Sequence, residues 1–159
     1  MSASHAPAYS HATALVIGEC GVLISGDSGS GKSALALACI AAANARGDFA
    51  ALVGDDRVQL LTRHGRVIGV GHPAIAGQIE RRGWQIESAP TIASAVLRLV
   101  VHMVTETAAQ KLPRLANGGA QSIEIAGVLV PFLAVDARRD RFDQAALVLA
   151  AISAAALEK

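Results

Sequence analysis

Hydrophobic positions in this chain fall into short continuous runs broken by glycine and charged pairs, a pattern of buried strands with helices set among them. Thr13 to Gly18 and Gly21 to Ser25 read as strands joined by a Glu19-Cys20 turn. Lys32 to about Arg46 reads as a helix by its length and its alanine and leucine content, with Gly47 as its stop. Phe49 to Val53 is a short apolar run ending at Gly54-Asp55-Asp56, the form of a buried strand. Arg57 to Leu61 and Arg66 to Val70 flank Arg63-His64-Gly65 as a hairpin. A short helix is expected from Pro73 to Ile79, since proline suits a first helical position, before the bend Glu80-Arg81-Arg82-Gly83. Val96 to Val104 is rich in β-branched residues and predicts a strand. Beyond a looser stretch with Pro113 and Asn117-Gly118-Gly119, Ser122 to Ile125 and Val128 to Val135 predict a second hairpin, and Arg141 to Leu157 a closing helix. Several hairpins around one strand-loop-helix unit predict an α/β fold with a mixed sheet. Residues 1–10, small and polar, are expected to be a flexible N-terminus, and residues 11–159 one domain.

Composition narrows the classes. The chain has 159 residues, 52% hydrophobic but only 3% aromatic, so its core must be built from Val, Leu, Ile and Ala. A formal net charge of +1 leaves no basic field to recruit nucleic acid or an anionic membrane surface. No apolar run has the length of a membrane span and Met1 to Ser10 lack the regions of a signal peptide, so a cytoplasmic protein is expected. Cys20 and Cys39 lack metal-ligand spacing and read as small core residues.

The chemistry begins between the second strand and the first helix. Gly26-Asp27-Ser28-Gly29-Ser30-Gly31-Lys32-Ser33 is a complete P-loop. Its glycines let backbone N–H groups close around phosphate oxygens, and the helix that follows presents its positive end to the same anion. Lys32 would reach the β- and γ-phosphates of a nucleotide and the Ser33 hydroxyl would ligate Mg²⁺. Asp55 and Asp56 end a buried strand, where an α/β sheet turns carboxylates toward its ligand. One could act on metal-bound water while the other takes the proton of an attacking hydroxyl. Glu80 and Arg82 add an acid and a cation that could serve metal and phosphate. His64, His72 and His102 receive no role.

Four stretches in order resemble a known family. They are His11-Ala12, the run from Gly21 through the P-loop to Ser33, Leu52-Val53-Gly54-Asp55-Asp56-Arg57-Val58, and Ile79-Glu80-Arg81-Arg82-Gly83. Together they resemble the C-terminal catalytic domain of the bacterial HPr kinase/phosphorylases, over His11 to about Ile152. The resemblance implies a fold related to phosphoenolpyruvate carboxykinase, with ATP and Mg²⁺ as cofactors and phosphorylation of a serine on HPr or an HPr-like phosphocarrier. It implies Asp56 as the base toward that serine, and as the acid when phosphate attacks phosphoserine in phosphorolysis. Asp55 would support metal and charge balance, Ser33 and Glu80 would hold Mg²⁺, Lys32 would bind phosphates, His11 would be accessory, and Arg82 would belong to the catalytic signature.

The chain also departs from that family. It looks like a short, single-domain form without the usual N-terminal domain or the C-terminal helical segments that help assemble a hexamer, so a homo-oligomer stays open. Lys111 stands near the family's catalytic arginine, and an ammonium cannot reproduce a guanidinium's planar grip. Asp136-Ala137-Arg138-Arg139-Asp140-Arg141 replaces a Pro- and Gly-containing basic loop linked to dephosphorylation, so weak or absent phosphorolysis is expected. Two other readings remain open at this stage: a small-molecule kinase on the same fold, with Arg81, Arg82, Arg138, Arg139 and Arg141 lining an acceptor pocket, and a non-catalytic nucleotide sensor.

Overall fold

A computed structural model describes residues 9–73, 78–81, 85–88, 90–104 and 121–157. In chain order the strands are β1 (Tyr9–Ser10), β2 (Thr13–Ile17), β3 (Cys20–Gly26), β4 (Ala50–Gly54), β5 (Val58–Arg63), β6 (Arg66–Gly71), β7 (Gln78–Arg81), β8 (Gln85–Ser88), β9 (Ser94–Val104), β10 (Gln121–Ile125) and β11 (Val128–Asp136). The helices are α1 (Lys32–Ala45) and α2 (Arg141–Leu157).

The main sheet runs β10-β11-β9-β3-β2-β4, with β11, β9 and β3 mutually parallel and the remaining neighbours antiparallel. The expected mixed sheet is therefore present. Strand β9 binds three neighbours: it lies parallel to β3 and β11, and at its start Ser94 to Val96 pair antiparallel with β6. That last pairing folds the small sheet β1-β5-β6 over one face of the main one.

Alternation along the central strands supplies a core to each face. Leu15, Ile17, Val22, Ile24, Leu52, Leu99, Val101 and Met103 point toward the helices, meeting Leu35, Ala36, Cys39, Ile40 and Ala43 of α1 and Ala145, Val148 and Leu149 of α2. Both helical sets follow the spacing of one apolar face. Ala14, Val16, Leu23, Val53 and Val100 point the other way, onto Val58 and Val67 of the small sheet. A shift of register at Gly21/Val22 lets Leu97 and Leu99 serve opposite cores.

Local chemistry sets the boundaries. Helix α1 ends in a Schellman motif, with Asp48 N–H donating to the Ala43 carbonyl and Gly47 N–H to that of Asn44, both at 3.0 Å. The β5–β6 and β10–β11 hairpins turn on His64-Gly65 and Ala126-Gly127, each pair with positive φ, as the twist of tight hairpins requires.

Two expectations are corrected. Tyr9 and Ser10 are strand, paired with Gln59 and Val58, so ordered structure starts before His11. Gln78 and Ile79 are also strand: β7 pairs antiparallel with β8, so the helix expected to reach Ile79 does not do so, and Glu80 and Arg81 lie in a strand, not a bend. Arg82, Gly83, Lys111, Pro113 and Asn117-Gly118-Gly119 lie outside the described residues.

Candidate active site

The P-loop leaves the sheet at the end of β3, beside the C-terminal end of its parallel neighbour β9 and the start of its antiparallel neighbour β2. Gly26, Gly29 and Gly31 have φ of 146°, 80° and 97°, backbone that residues with a Cβ rarely adopt. Gly31 caps α1 without a side-chain hydrogen bond, and the first turn of α1 contains no acidic residue. Its N–H groups and dipole are therefore not answered by a carboxylate from the helix itself, the condition that suits a phosphate. Lys32 Nζ curls back to donate to the carbonyls of Gly26 and Asp27, each at 3.0 Å. The Ser30 hydroxyl is buried with no partner. An orphaned donor inside a cradle of glycine N–H groups and a lysine fits an anionic ligand.

The two aspartates face different ways. Asp55 is 8% exposed, and its Oδ1 accepts hydrogen bonds from Ser33 Oγ and Thr13 Oγ1, each at 2.8 Å. Asp56 has a positive φ of 64°, a conformation aspartate tolerates better than most residues, and this twist turns its side chain outward to 76% exposure. There Asp56 Oδ1 lies 3.5 Å from Nδ1 of His11, itself 84% exposed. A cleft of about 380 Å³ joins these groups, lined by Ser28, Gly29, Lys32 and Ser33 on one side and by Thr13, Asp55 and Asp56 on the other. A larger, mainly apolar groove of about 540 Å³ opens at the far end of the sheet around Cys20, Leu97, Leu129 and Ile152, away from all of them.

The residues present suit a nucleotide and its divalent ion. Ser33 and Asp55 offer hard oxygen atoms beside the phosphate cradle, and among the described residues no three His, Cys, Asp or Glu side chains converge as a self-sufficient metal cage. Mg²⁺ is commonly held in that way, by one or two protein oxygens with phosphates and water. The backbone of Glu80 lies in β7, which approaches α1.

Three residues outside the motifs, Thr13, Arg141 and Gln144, support this end of the molecule. Thr13 bonds Asp55 across 42 positions of sequence, a link no local pattern reveals. Arg141, which sequence reasoning offered only as one of five arginines around an acceptor, donates from Nη1 to the Gly31 carbonyl at 3.3 Å and to Gln144 Oε1 at 2.5 Å. Gln144, fully buried, donates to the Asp136 carbonyl at 2.9 Å, which ties the end of β11 to the P-loop through α2. A Cβ on Gly31 would displace the Arg141 guanidinium, the end of a flexible side chain, so the φ of 97° is what calls for glycine here. His102 lies beside Ser25, with its Nδ1 2.9 Å from the serine hydroxyl, and stacks on Phe132 at 6.2 Å between ring centroids. Arg138 grips the Asp136 carboxylate at 3.0 Å and holds its pKa below the ordinary carboxylate value.

The chain is similar to known proteins in sequence and in fold. Two curated relatives described as HPr kinase/phosphorylase, from Limosilactobacillus reuteri (strain DSM 20016) and Limosilactobacillus reuteri subsp. reuteri (strain JCM 1112), are each 33% identical over 140 residues, or 82% of this chain. The chain spans 41% of the length of those relatives. A solved structure described as the Hpr(Ser) kinase/phosphatase from Coxiella burnetii superposes with a TM-score of 0.75 at 26% identity, covering 95% of this chain and 97% of that one. Residues 4–159 match the family described as HPr Serine kinase C-terminal domain, and the chain belongs to that family.

Proposed function

We propose that this chain is an ATP-dependent protein-serine kinase whose acceptor is HPr or an HPr-like phosphocarrier. One observation carries the reading within the family: beside a phosphate cradle, Asp55 is turned inward onto Ser33 while Asp56 is turned outward beside His11. A carboxylate at the surface of the cleft is accessible to a hydroxyl carried on another protein, which a deeply enclosed one would not be. That exposure favours a protein acceptor over a small metabolite.

The serine Oγ attacks the γ-phosphorus of ATP, the new O–P bond forms, and the bond to the β,γ-bridging oxygen breaks to release ADP. Asp56 Oδ1 takes the serine proton, and His11 beside it helps orient that carboxylate. Lys32 swings from the loop carbonyls to the β- and γ-phosphates, while the glycine N–H groups and Ser30 hold the phosphate oxygens. Mg²⁺, when bound, supplies neutralisation of phosphate charge, with Ser33, Asp55 and Glu80 as the residues that would hold it. Arg82 and Lys111 are assigned by family position alone, Arg82 to the catalytic signature and Lys111 to the neighbourhood of a catalytic arginine.

Phosphorolysis is proposed to be weak. Arg138 is engaged by Asp136 and Arg141 by Gln144 and Gly31, so two of the three guanidinium groups of this basic segment are spent on internal bonds. The test is transfer of label from ATP to HPr-like carriers in the presence of Mg²⁺, with a serine-to-alanine carrier as control. Label that requires the carrier serine supports the kinase; tight nucleotide binding with no transfer to any carrier overturns it in favour of a nucleotide sensor. Pyrophosphate release from phosphoserine carrier and inorganic phosphate at a rate near that of the forward reaction would overturn the second proposal.

A further inference from the structure

Asp55 Oδ1 accepts two hydroxyl hydrogen bonds of 2.8 Å each, one from Ser33 in the P-loop helix and one from Thr13 in β2. A carboxylate oxygen has about two acceptor positions, so Oδ1 is saturated and Oδ2 is the oxygen left for other contacts. Ser33 spends its single proton on the same Oδ1, which leaves its lone pairs for a cation. The two donors are not equally fixed. Both line the cleft, but Ser33 sits at the start of α1 whereas Thr13 is wholly buried and its backbone, at the start of β2, is paired with Ile24 of β3. Just beyond it, the β2–β4 pairing shifts register between Ala14 and Leu15, directly opposite the end of β4 that carries the chain into Asp55. The hydroxyl of Thr13 is thus a rigid reference point, held by the sheet, against which the Asp55 carboxylate is set.

We infer that Thr13 is a positioning residue for the divalent-cation site: by occupying Oδ1 of Asp55 from the sheet side, it orients the carboxylate so that Oδ2 and the Ser33 lone pairs serve the same Mg²⁺. This inference rests on the proposed reading of Ser33 and Asp55 as the protein's contacts to MgATP. Thr13 lies outside the P-loop and outside the Asp55-Asp56 pair, and it acts through Asp55 without touching the substrate. Valine at this position would keep the branched shape and lose the donor; serine would keep the donor and lose the methyl group.

The experiment is calorimetric binding of ATP with Mg²⁺ and with EDTA to wild type, Thr13→Val, Thr13→Ser, Asp55→Ala and the double variant Thr13→Val/Asp55→Ala. The readout is the gain in ATP affinity that Mg²⁺ produces. Thr13→Val is expected to bind ATP in EDTA within about twofold of wild type and to reduce the Mg²⁺-dependent gain about tenfold, the low end for a lost hydrogen bond to a charged group. Thr13→Ser is expected to retain the gain, and Thr13→Val to add no loss in the Asp55→Ala background. A full Mg²⁺ gain in Thr13→Val overturns the inference, as does a Thr13→Ser variant as impaired as Thr13→Val, which would make the methyl group's packing the cause. Should Thr13→Val not fold, Thr13→Ser and Thr13→Ala decide by the same comparison. Wild type with no Mg²⁺ gain would instead overturn the underlying reading of the site.

Discussion

Gln144→Met removes both hydrogen bonds of a fully buried amide while keeping the length and most of the volume of the side chain. Wild-type Gln144 accepts from Arg141 Nη1 at 2.5 Å and donates to the Asp136 carbonyl at 2.9 Å. Without it, one carbonyl and one guanidinium N–H lose their partners, and because both groups are half-buried each loss falls at the low end of the range, together about 2–3 kcal/mol. Better burial of the apolar thioether offsets about 1 kcal/mol, leaving a destabilisation of about 1–2 kcal/mol. For a chain of this size that lowers the thermal midpoint by roughly 2–8 °C, read by calorimetry or far-UV circular dichroism. The same change frees Arg141 from one of its two anchors, so the Gly31 carbonyl is less firmly held and ATP binding weakens alongside the midpoint. A midpoint within 1 °C of wild type, together with unchanged ATP affinity, would refute this account of the link between α2 and the P-loop.

Asp56→Asn is expected to bind ATP as wild type and to transfer phosphate about 10²- to 10⁴-fold more slowly, measured as label on the carrier; an unchanged rate would remove Asp56 as the base. Lys32→Ala should weaken ATP binding in equilibrium titration, since the only flexible cation of the loop is lost, and a normal affinity would contradict a working phosphate cradle. Gly31→Ala should destabilise the chain and weaken nucleotide binding together, because the new methyl group meets the Arg141 guanidinium and φ of 97° is strained for alanine. Burial pushes the Cys39 thiol up to about 12, against the opposing pull of Arg141. A thiol raised in the folded state stabilises fully below its unfolded pKa near 8.5–9, and that contribution is lost as pH climbs toward 12. Cys39 should therefore resist thiol reagents at pH 8 until denaturant is added, and Cys39→Ala should flatten the alkaline fall in stability.

What the sequence revealed depended on how local the cause was. Helix α2 and the Schellman end of α1 follow from adjacent residues, and both hairpin turns follow from a residue-glycine pair. The P-loop and the aspartate pair were legible because their chemistry is written in contiguous residues. Strand β1 was not, since two residues become strand only by pairing with β5, far along the chain. The segment at Gln78-Ile79 misled because proline followed by small apolar residues satisfies a helix start, while its real partner, β8, is a polar run with no strand signal of its own. The opposite orientations of Asp55 and Asp56 depend on one backbone angle, and the roles of Thr13 and Gln144 depend on neighbours brought together only by the finished sheet.

The bond from Arg141 to Gly31 spans 110 positions. On a ribosome, β2, β3, the loop and α1 emerge together and can assemble locally, but the side of α1 that meets α2 and the second hydrogen bond of the Gly31 carbonyl must wait for α2. At ordinary elongation rates that interval is roughly 5–20 s, far longer than helix formation or collapse takes. During it the chain already owns a phosphate-binding loop followed by a helix whose α2-facing side is still bare. Nascent forms of this protein are thus expected to need shielding by chaperones in that window, and phosphate or nucleotide present then would meet a loop not yet fastened from behind.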